Sequence, residues 1–88
     1  METNEISLHQ AKVFKAASTT WKTAAEIAID ASVAPRTGRH HCKILSDAGI
    51  FDQAEVFPAH RYRLSDKAQK RNKAFFERII RACEIFNV

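Results

Sequence analysis

Residues that break, kink or cross-link a chain are scarce in this sequence: two glycines, two prolines and two cysteines in 88 residues. So little glycine and proline excludes a collagen-like or linker-rich chain. Two cysteines, Cys42 and Cys83, are too few for the disulfide scaffold of a small secreted domain. No apolar run approaches the roughly 20 residues that a membrane-spanning helix needs, and Met1 to Gln10 holds no apolar core of the signal-peptide kind. The expectation is a cytoplasmic protein in a reducing compartment, without membrane contact. A Gly-rich phosphate loop is missing too. The four histidines, His9, His40, His41 and His60, have no nucleophile or carboxylate at a suggestive spacing, so no catalytic residue and no enzyme is expected.

What the chain does have is an ordinary globular composition, 45% hydrophobic and 27% charged, at a length that one core can serve as a single domain. The net charge of +4 favours a polyanionic partner without requiring one. Its distribution says more than its size. No Asp or Glu occurs between Asp30 and Asp47, an interval that holds Arg36, Arg39, His40, His41 and Lys43.

Periodicity divides the chain. Leu8, Val13, Phe14 and Ala17 share one side of a helical wheel behind Ser7, which predicts a first helix ending near Ser18. Thr23 followed by Glu26 has the spacing of a capping box and opens a second helix. The residues of its inner side, Ala25, Ile27, Ala28 and Ala31, are mostly small and suit a close neighbour. After the break at Ala31 to Ala34, with Val33 buried in it, Pro35 opens a third helix that runs to Ala48 and is stopped by Gly49. Gly38, inside that helix, costs about 1 kcal/mol against Ala, and close packing on the second helix is the reason it predicts. Two helices joined this closely form a helix-turn-helix. Phe51 to Phe57, a turn at Pro58-Ala59-His60 and the alternating Arg61-Tyr62-Arg63-Leu64 then predict a two-stranded hairpin. Ser65 caps a long last helix, about Asp66 to Phe86. The predicted fold is mainly α with a small β-hairpin, a winged helix-turn-helix with an additional C-terminal helix.

On the third helix Arg36, Arg39, His40 and Lys43 fall within roughly 100° of one another. Gly38, Cys42 and Leu45 fall opposite, with Ile44 and His41 on the borders. A basic, donor-rich helix face suits the major groove of B-DNA, where Arg bridges the O6 and N7 acceptors of guanine, and Lys43 and Arg36 suit phosphates. His40, His41 and Cys42 are adjacent in sequence and so point about 100° apart on a helix, which argues against a shared metal ion. Both cysteines read as small buried hydrophobes, and Trp21 as a packing residue. Neither metal nor cofactor is expected. On the last helix Phe75, Phe76, Ile79, Ile80, Cys83 and Phe86 make an apolar arc wider than the roughly 100° that packing on one core requires. They are the candidate interface of a homodimer.

The order of these elements resembles the winged-helix regulators of the MarR, ArsR and IclR type and the small PapI-like regulators. The resemblance is carried by Ala24-Ala25-Glu26-Ile27-Ala28, by Leu45-Ser46-Asp47-Ala48-Gly49-Ile50-Phe51 and by Arg61-Tyr62-Arg63-Leu64-Ser65. It implies a sequence-specific regulator of transcription, a repressor or autoregulator of prokaryotic or phage type, in which residues 1–65 bind duplex DNA and 66–88 dimerise. Arg36, Thr37, Arg39, His40 and Lys43 would meet the major groove, with His60 and Arg61 at the hairpin tip on the backbone or minor groove. Two features depart from the pattern: Gly38, where such families carry a branched apolar residue, and the shortness of the wing. No small-molecule effector is identifiable. A protein-docking winged helix and a non-specific architectural nucleic-acid-binding protein are the alternatives, and a docking surface would show apolar anchors where this helix face is basic.

Overall fold

Free N–H and C=O groups at helix ends must find partners, and side-chain caps supply them at the starts of three of the helices here. In the computed structural model, which describes residues 6–56 and 59–88, Ser7 accepts from the Gln10 N–H and opens α1 (Leu8–Ala16). A two-residue strand, β1 (Lys22–Thr23), leads directly into α2 (Ala24–Ala31). At that junction Thr23 accepts from the Glu26 N–H, while the Glu26 carboxylate accepts from the Thr23 N–H, which completes the capping box. Ser32 ends α2 in the left-handed region at φ 59°, and the Val33 N–H reaches back to Ala28 O at 3.0 Å. This doubly bonded ending turns the chain sharply and tucks Val33 against the core. Pro35 then opens α3 (Pro35–Asp47). Gly49, at φ +84°, closes it by the same kind of ending, with Ile50 N–H bonded to Leu45 O and Gly49 N–H to Ser46 O.

Gly38 is fully inside the α2/α3 contact. A Cβ placed there would lie 2.5 Å from Ala28 Cβ, closer than such atoms come, and a tight 3.2 Å from Ala28 Cα. Only a glycine facing an alanine lets the two helices approach this closely. The predicted reason for the glycine therefore holds.

The hairpin differs from the expectation. β2 (Phe51–Val56) and β3 (Ala59–Leu64) pair antiparallel from Phe51↔Leu64 to Val56↔Ala59. β1 adds to the far side of β3 through Lys22↔Tyr62 and Thr23↔Arg61, giving three strands in the order β1-β3-β2. Two residues are too few to show alternation, so the third strand left no trace in the pattern. Of the predicted turn, Ala59 and His60 already belong to β3, and Pro58 lies outside the described residues.

The long last helix is also divided. Ser65 caps a turn, its Oγ accepting from the Lys67 N–H, ahead of a short α4 (Ala68–Arg71). Asn72 then leaves helical geometry at φ −152°, ψ 75°, before α5 (Lys73–Phe86). The Asn72 side chain accounts for the break: its Oδ1 accepts from the Phe75 N–H as the cap of α5, and its Nδ2 donates to Ala48 O at 3.0 Å. One core joins all of this, with Val13 and Phe14, Ile27, Cys42 and Leu45, Ile50 and Phe51, Tyr62, and Ile79 and Cys83 in a single buried cluster. Phe14 meets Phe76 edge to face at 6.1 Å. Among the described residues no helix is long and apolar enough to cross a membrane.

Gly38→Ala is expected to destabilise the protein, because overpacking costs typically 1–3 kcal/mol and outweighs the about 1 kcal/mol that alanine gains in a helix. Urea denaturation followed by circular dichroism measures the difference. A variant as stable as the parent would contradict the close α2/α3 contact.

Candidate nucleic-acid interface

Burying Gly38, Cys42 and Leu45 on one side of α3 leaves Arg36, Arg39, His40 and Lys43 exposed on the other, with Thr37 half-buried at the edge. Among the described residues neither Arg36 nor Arg39 has a carboxylate at ion-pair distance. Lys43 has one, Asp47, at 3.9 Å, with both side chains largely in solvent, an arrangement that contributes little and yields readily to a competing anion. The positive charge of α3 is therefore available to a ligand.

The wing makes this face concave. Arg39 and Lys43 of α3, Thr23, Ala24 and Ala25 at the start of α2, and Ala59, His60 and Tyr62 of β3 line a cleft of about 540 Å³. The structure thus brings together three of the predicted residues, Arg39, Lys43 and His60. Arg36, Thr37 and His40 lie on α3 outside the lining. Arg61 departs furthest from expectation, because it is an interior strand residue, paired with Ala54 on one side and Thr23 on the other. Successive residues of a strand alternate faces, so Arg61 lies on the face away from His60 and Tyr62, and it does not line the cleft. The sequence reading also passed over Thr23, Tyr62 and Gln53. Gln53 holds His60 Nδ1 at 3.0 Å and accepts from the Ser46 hydroxyl at 3.1 Å. The alternation that marks β3 contained part of this signal, since it puts His60 and Tyr62 on one face.

Burial sets the chemistry of the remaining polar groups. The His41 imidazole is held below its ordinary pKa by desolvation first and by the neighbouring His40 and His9 charges next, and its Nδ1 is buried without a partner among the described residues. His40 packs its ring edge to face on it at 5.1 Å. His41 is thus a neutral inner neighbour of the stripe. Burial also pushes the Cys42 thiol up to about 12 and raises Cys83, whose Sγ lies 3.7 Å from Ala11 O. Neither is a thiolate at neutral pH. Among the described residues no group of three or more His, Cys, Asp or Glu is arranged to hold a metal ion.

The root of the wing is fixed by charge. Asp52 on β2 accepts from Arg63 Nε at 3.0 Å and from Arg71 Nη1 at 2.7 Å, and the Arg63 guanidinium lies 4.4 Å above the Trp21 ring. Burial works to raise the Asp52 pKa, but the hydrogen bonds and charges of Arg71 and Arg63 outweigh it and hold the carboxyl below its ordinary value. Trp21 is 37% exposed and outside the core cluster, and its ring meets the sheet through Arg63.

Of the residues assigned to a dimer face, Ile79 and Cys83 are buried in the core of the monomer and Phe75 and Phe76 pack against it. Ile80 and Phe86 remain 37% and 38% exposed, and beside them Ile85 is 73% exposed.

A helix-turn-helix packed against a small three-stranded sheet, its second helix carrying arginines with no carboxylate partner among the described residues, is a winged-helix fold. No family model matches the chain, nor does any curated protein. Solved structures do. A mutant of ZitR from Lactococcus lactis superposes with a TM-score of 0.60 at 14% identity over 93% of this chain. A protein of unknown function from Listeria innocua gives 0.58 at 18% over 86%, and the adhesin competence repressor AdcR of Streptococcus pyogenes 0.55 at 9% over 94%. The chain spans 58%, 55% and 63% of the lengths of those three. At such identities the likeness is one of fold, and it agrees with the winged helix-turn-helix and C-terminal helix read from the sequence.

Asp52→Asn is expected to lower stability by about 1 kcal/mol at neutral pH, the upper range for ion pairs whose arginines remain partly in water. A depressed carboxyl contributes stability that is complete above the unfolded value near about 4 and is lost as pH falls through the lower folded value. The gap between variant and parent should therefore close in acid. Thermal melts across a pH series read this, and a gap constant down to pH ~2 would remove the ion-pair account.

Proposed function

We propose that this chain is a regulator of transcription that binds duplex DNA sequence-specifically as a homodimer, with residues 35–48 entering the major groove and the hairpin 51–64 as its wing. The observation that carries the reading is the convergence of Arg39 and Lys43 from α3 with His60 from the wing on one open cleft, on a helix whose arginines have no acidic partner among the described residues. Arg39, mid-stripe, is assigned to a guanine edge and Lys43 to a phosphate, while Arg36, Thr37 and His40 extend the contact along α3. Arg61, on the far face of the sheet, adds only to the general positive field. Occupying an operator requires no catalytic group, so the role is binding, as a repressor or autoregulator in a prokaryotic or phage setting. The shared fold with AdcR, itself a repressor, supports that direction, and the cytoplasm is where the DNA would lie.

Residues 1–65 form the reading head in this proposal, and residues 66–88 add the dimer contact. With Ile79 and Cys83 committed to the core, the face is centred on Phe76, Ile80 and Phe86, while Ile85 points to the other side of the helix. The groove along α5 mixes Phe76 and Ile80 with Glu77, Arg81 and Glu84, a charge pattern that can complement itself about a two-fold axis.

Titration of a fluorescent operator duplex across a salt series tests the reading head. Affinity should fall with about 0.9 log units per log unit of salt for each neutralised phosphate. Arg39→Ala should cost roughly 1–3 kcal/mol on the operator and relax base preference, whereas Arg61→Ala changes little. Salt-independent binding, or an Arg39→Ala variant that binds like the parent, would refute the assignment.

The dimer is tested by sedimentation. Ile80→Glu and Phe86→Glu should each lower the sedimentation mass and the operator affinity while helical content is kept, because both positions reach solvent. Parent protein that sediments as a monomer and binds a half-site as tightly as a full site would exclude it.

A further inference from the structure

Ser46 lies in the last turn of α3, Gln53 in the middle of β2 and His60 second in β3. The Ser46 hydroxyl donates to Gln53 Oε1 at 3.1 Å, and Gln53 Nε2 lies 3.0 Å from His60 Nδ1. An amide nitrogen can only donate. Its partner Nδ1 therefore accepts, which puts the ring proton of the neutral imidazole on Nε2. Gln53 pairs with Tyr62 and Glu55 with His60, so Gln53 reaches His60 along the diagonal of one sheet face, the face that lines the cleft.

We propose that Gln53 is a positioning residue for nucleic-acid backbone recognition: anchored by Ser46, it fixes the His60 ring so that Nε2–H is presented to a phosphate oxygen in the cleft shared with Arg39 and Lys43. This rests on the duplex-DNA reading above and adds to it a wing donor whose aim is set by the recognition helix itself. The chain of two hydrogen bonds joins α3, β2 and β3, so helix and wing meet the backbone in fixed relation. Both bonds are exposed in the free protein and stabilise little there. Their strength grows when docking removes water from the cleft.

The test uses the full chain and a fluorescein-labelled random-sequence duplex, because a phosphate contact does not depend on sequence. His60→Ala and Gln53→Met should each weaken binding about fivefold, the scale of one lost hydrogen-bonded contact. The double variant should be no weaker than either single one, as for two residues that act through one contact. In the DNA-free protein, ¹⁵N spectra should show a coupling across the hydrogen bond between Gln53 Nε2 and His60 Nδ1, diminished in Ser46→Ala. Additive losses in the double variant, an unaltered affinity for Gln53→Met beside a weakened His60→Ala, or absence of the coupling overturns the positioning role alone. Parent protein that binds no duplex overturns the DNA reading and this proposal together, an outcome told apart because the coupling is read without DNA.

Discussion

The contact between Gly38 and Ala28 fixes the geometry on which the exposed basic face of α3 depends. With no side chain at Gly38 and a single methyl at Ala28, α3 crosses α2 closely enough for the backbone of one to touch the side chain of the other. That approach sets the rotation of α3 about its own axis. Gly38, Cys42 and Leu45 are turned inward, and the arginines are turned outward as a consequence. The turn between the helices is fitted to the same geometry. Ser32 accepts a left-handed conformation that costs a non-glycine residue roughly 1–2 kcal/mol, and burial of Val33 against the core offsets part of that cost. A longer or looser turn would leave the crossing less defined.

The cations around the sheet and those of α3 differ in their partners. Arg63 and Arg71 are both committed to Asp52, and Lys22 is held by Asp30 at 3.0 Å and by Ala16 O. Those three tie the sheet to α1, α2 and α4, with two carboxylates, Asp30 and Asp52, between them. Arg36 and Arg39 are left without such partners among the described residues. The net charge of +4 is modest, but α3 carries Arg36, Arg39 and Lys43 with Asp47 as its one acidic residue, so its exposed face is locally positive.

Much of this was legible in the sequence because it depends on local chemistry. The Thr23/Glu26 capping box, Pro35 at the start of α3 and Gly49 at its end are each decided by backbone groups a few residues apart, and each stands where it was expected. The basic stripe followed from the period of one helix. The misreadings have a common cause, which is that the deciding partner is distant in sequence. β1 exists only because Tyr62 and Arg61 offer it an edge. Asn72 interrupts an otherwise helical pattern because Ala48 O is there to receive its amide. Arg61 was read as a tip residue, whereas its place inside the sheet depends on pairing with the distant Thr23 as well as with Ala54.

The apolar arc of the last segment shows the same limit from the other side. Its width was real, but width alone does not say how much of it a single core consumes. α1 and α5 pack together, and Ile79 and Cys83 vanish into the core with Val13, Phe14 and Ala11. The break at Asn72 matters here as well, since a continuous helix from Ser65 would have carried Phe75 and Phe76 along a different line. By restarting the helix, Asn72 lets Phe76 meet Phe14 edge to face. The surface left uncovered therefore shifts toward the end of α5, to Ile80, Ile85 and Phe86. Substitutions at Ile79 or Cys83 act on folding, whereas substitutions at Ile80 or Phe86 act on what the helix meets outside, a distinction set by about one residue of rotation on the wheel.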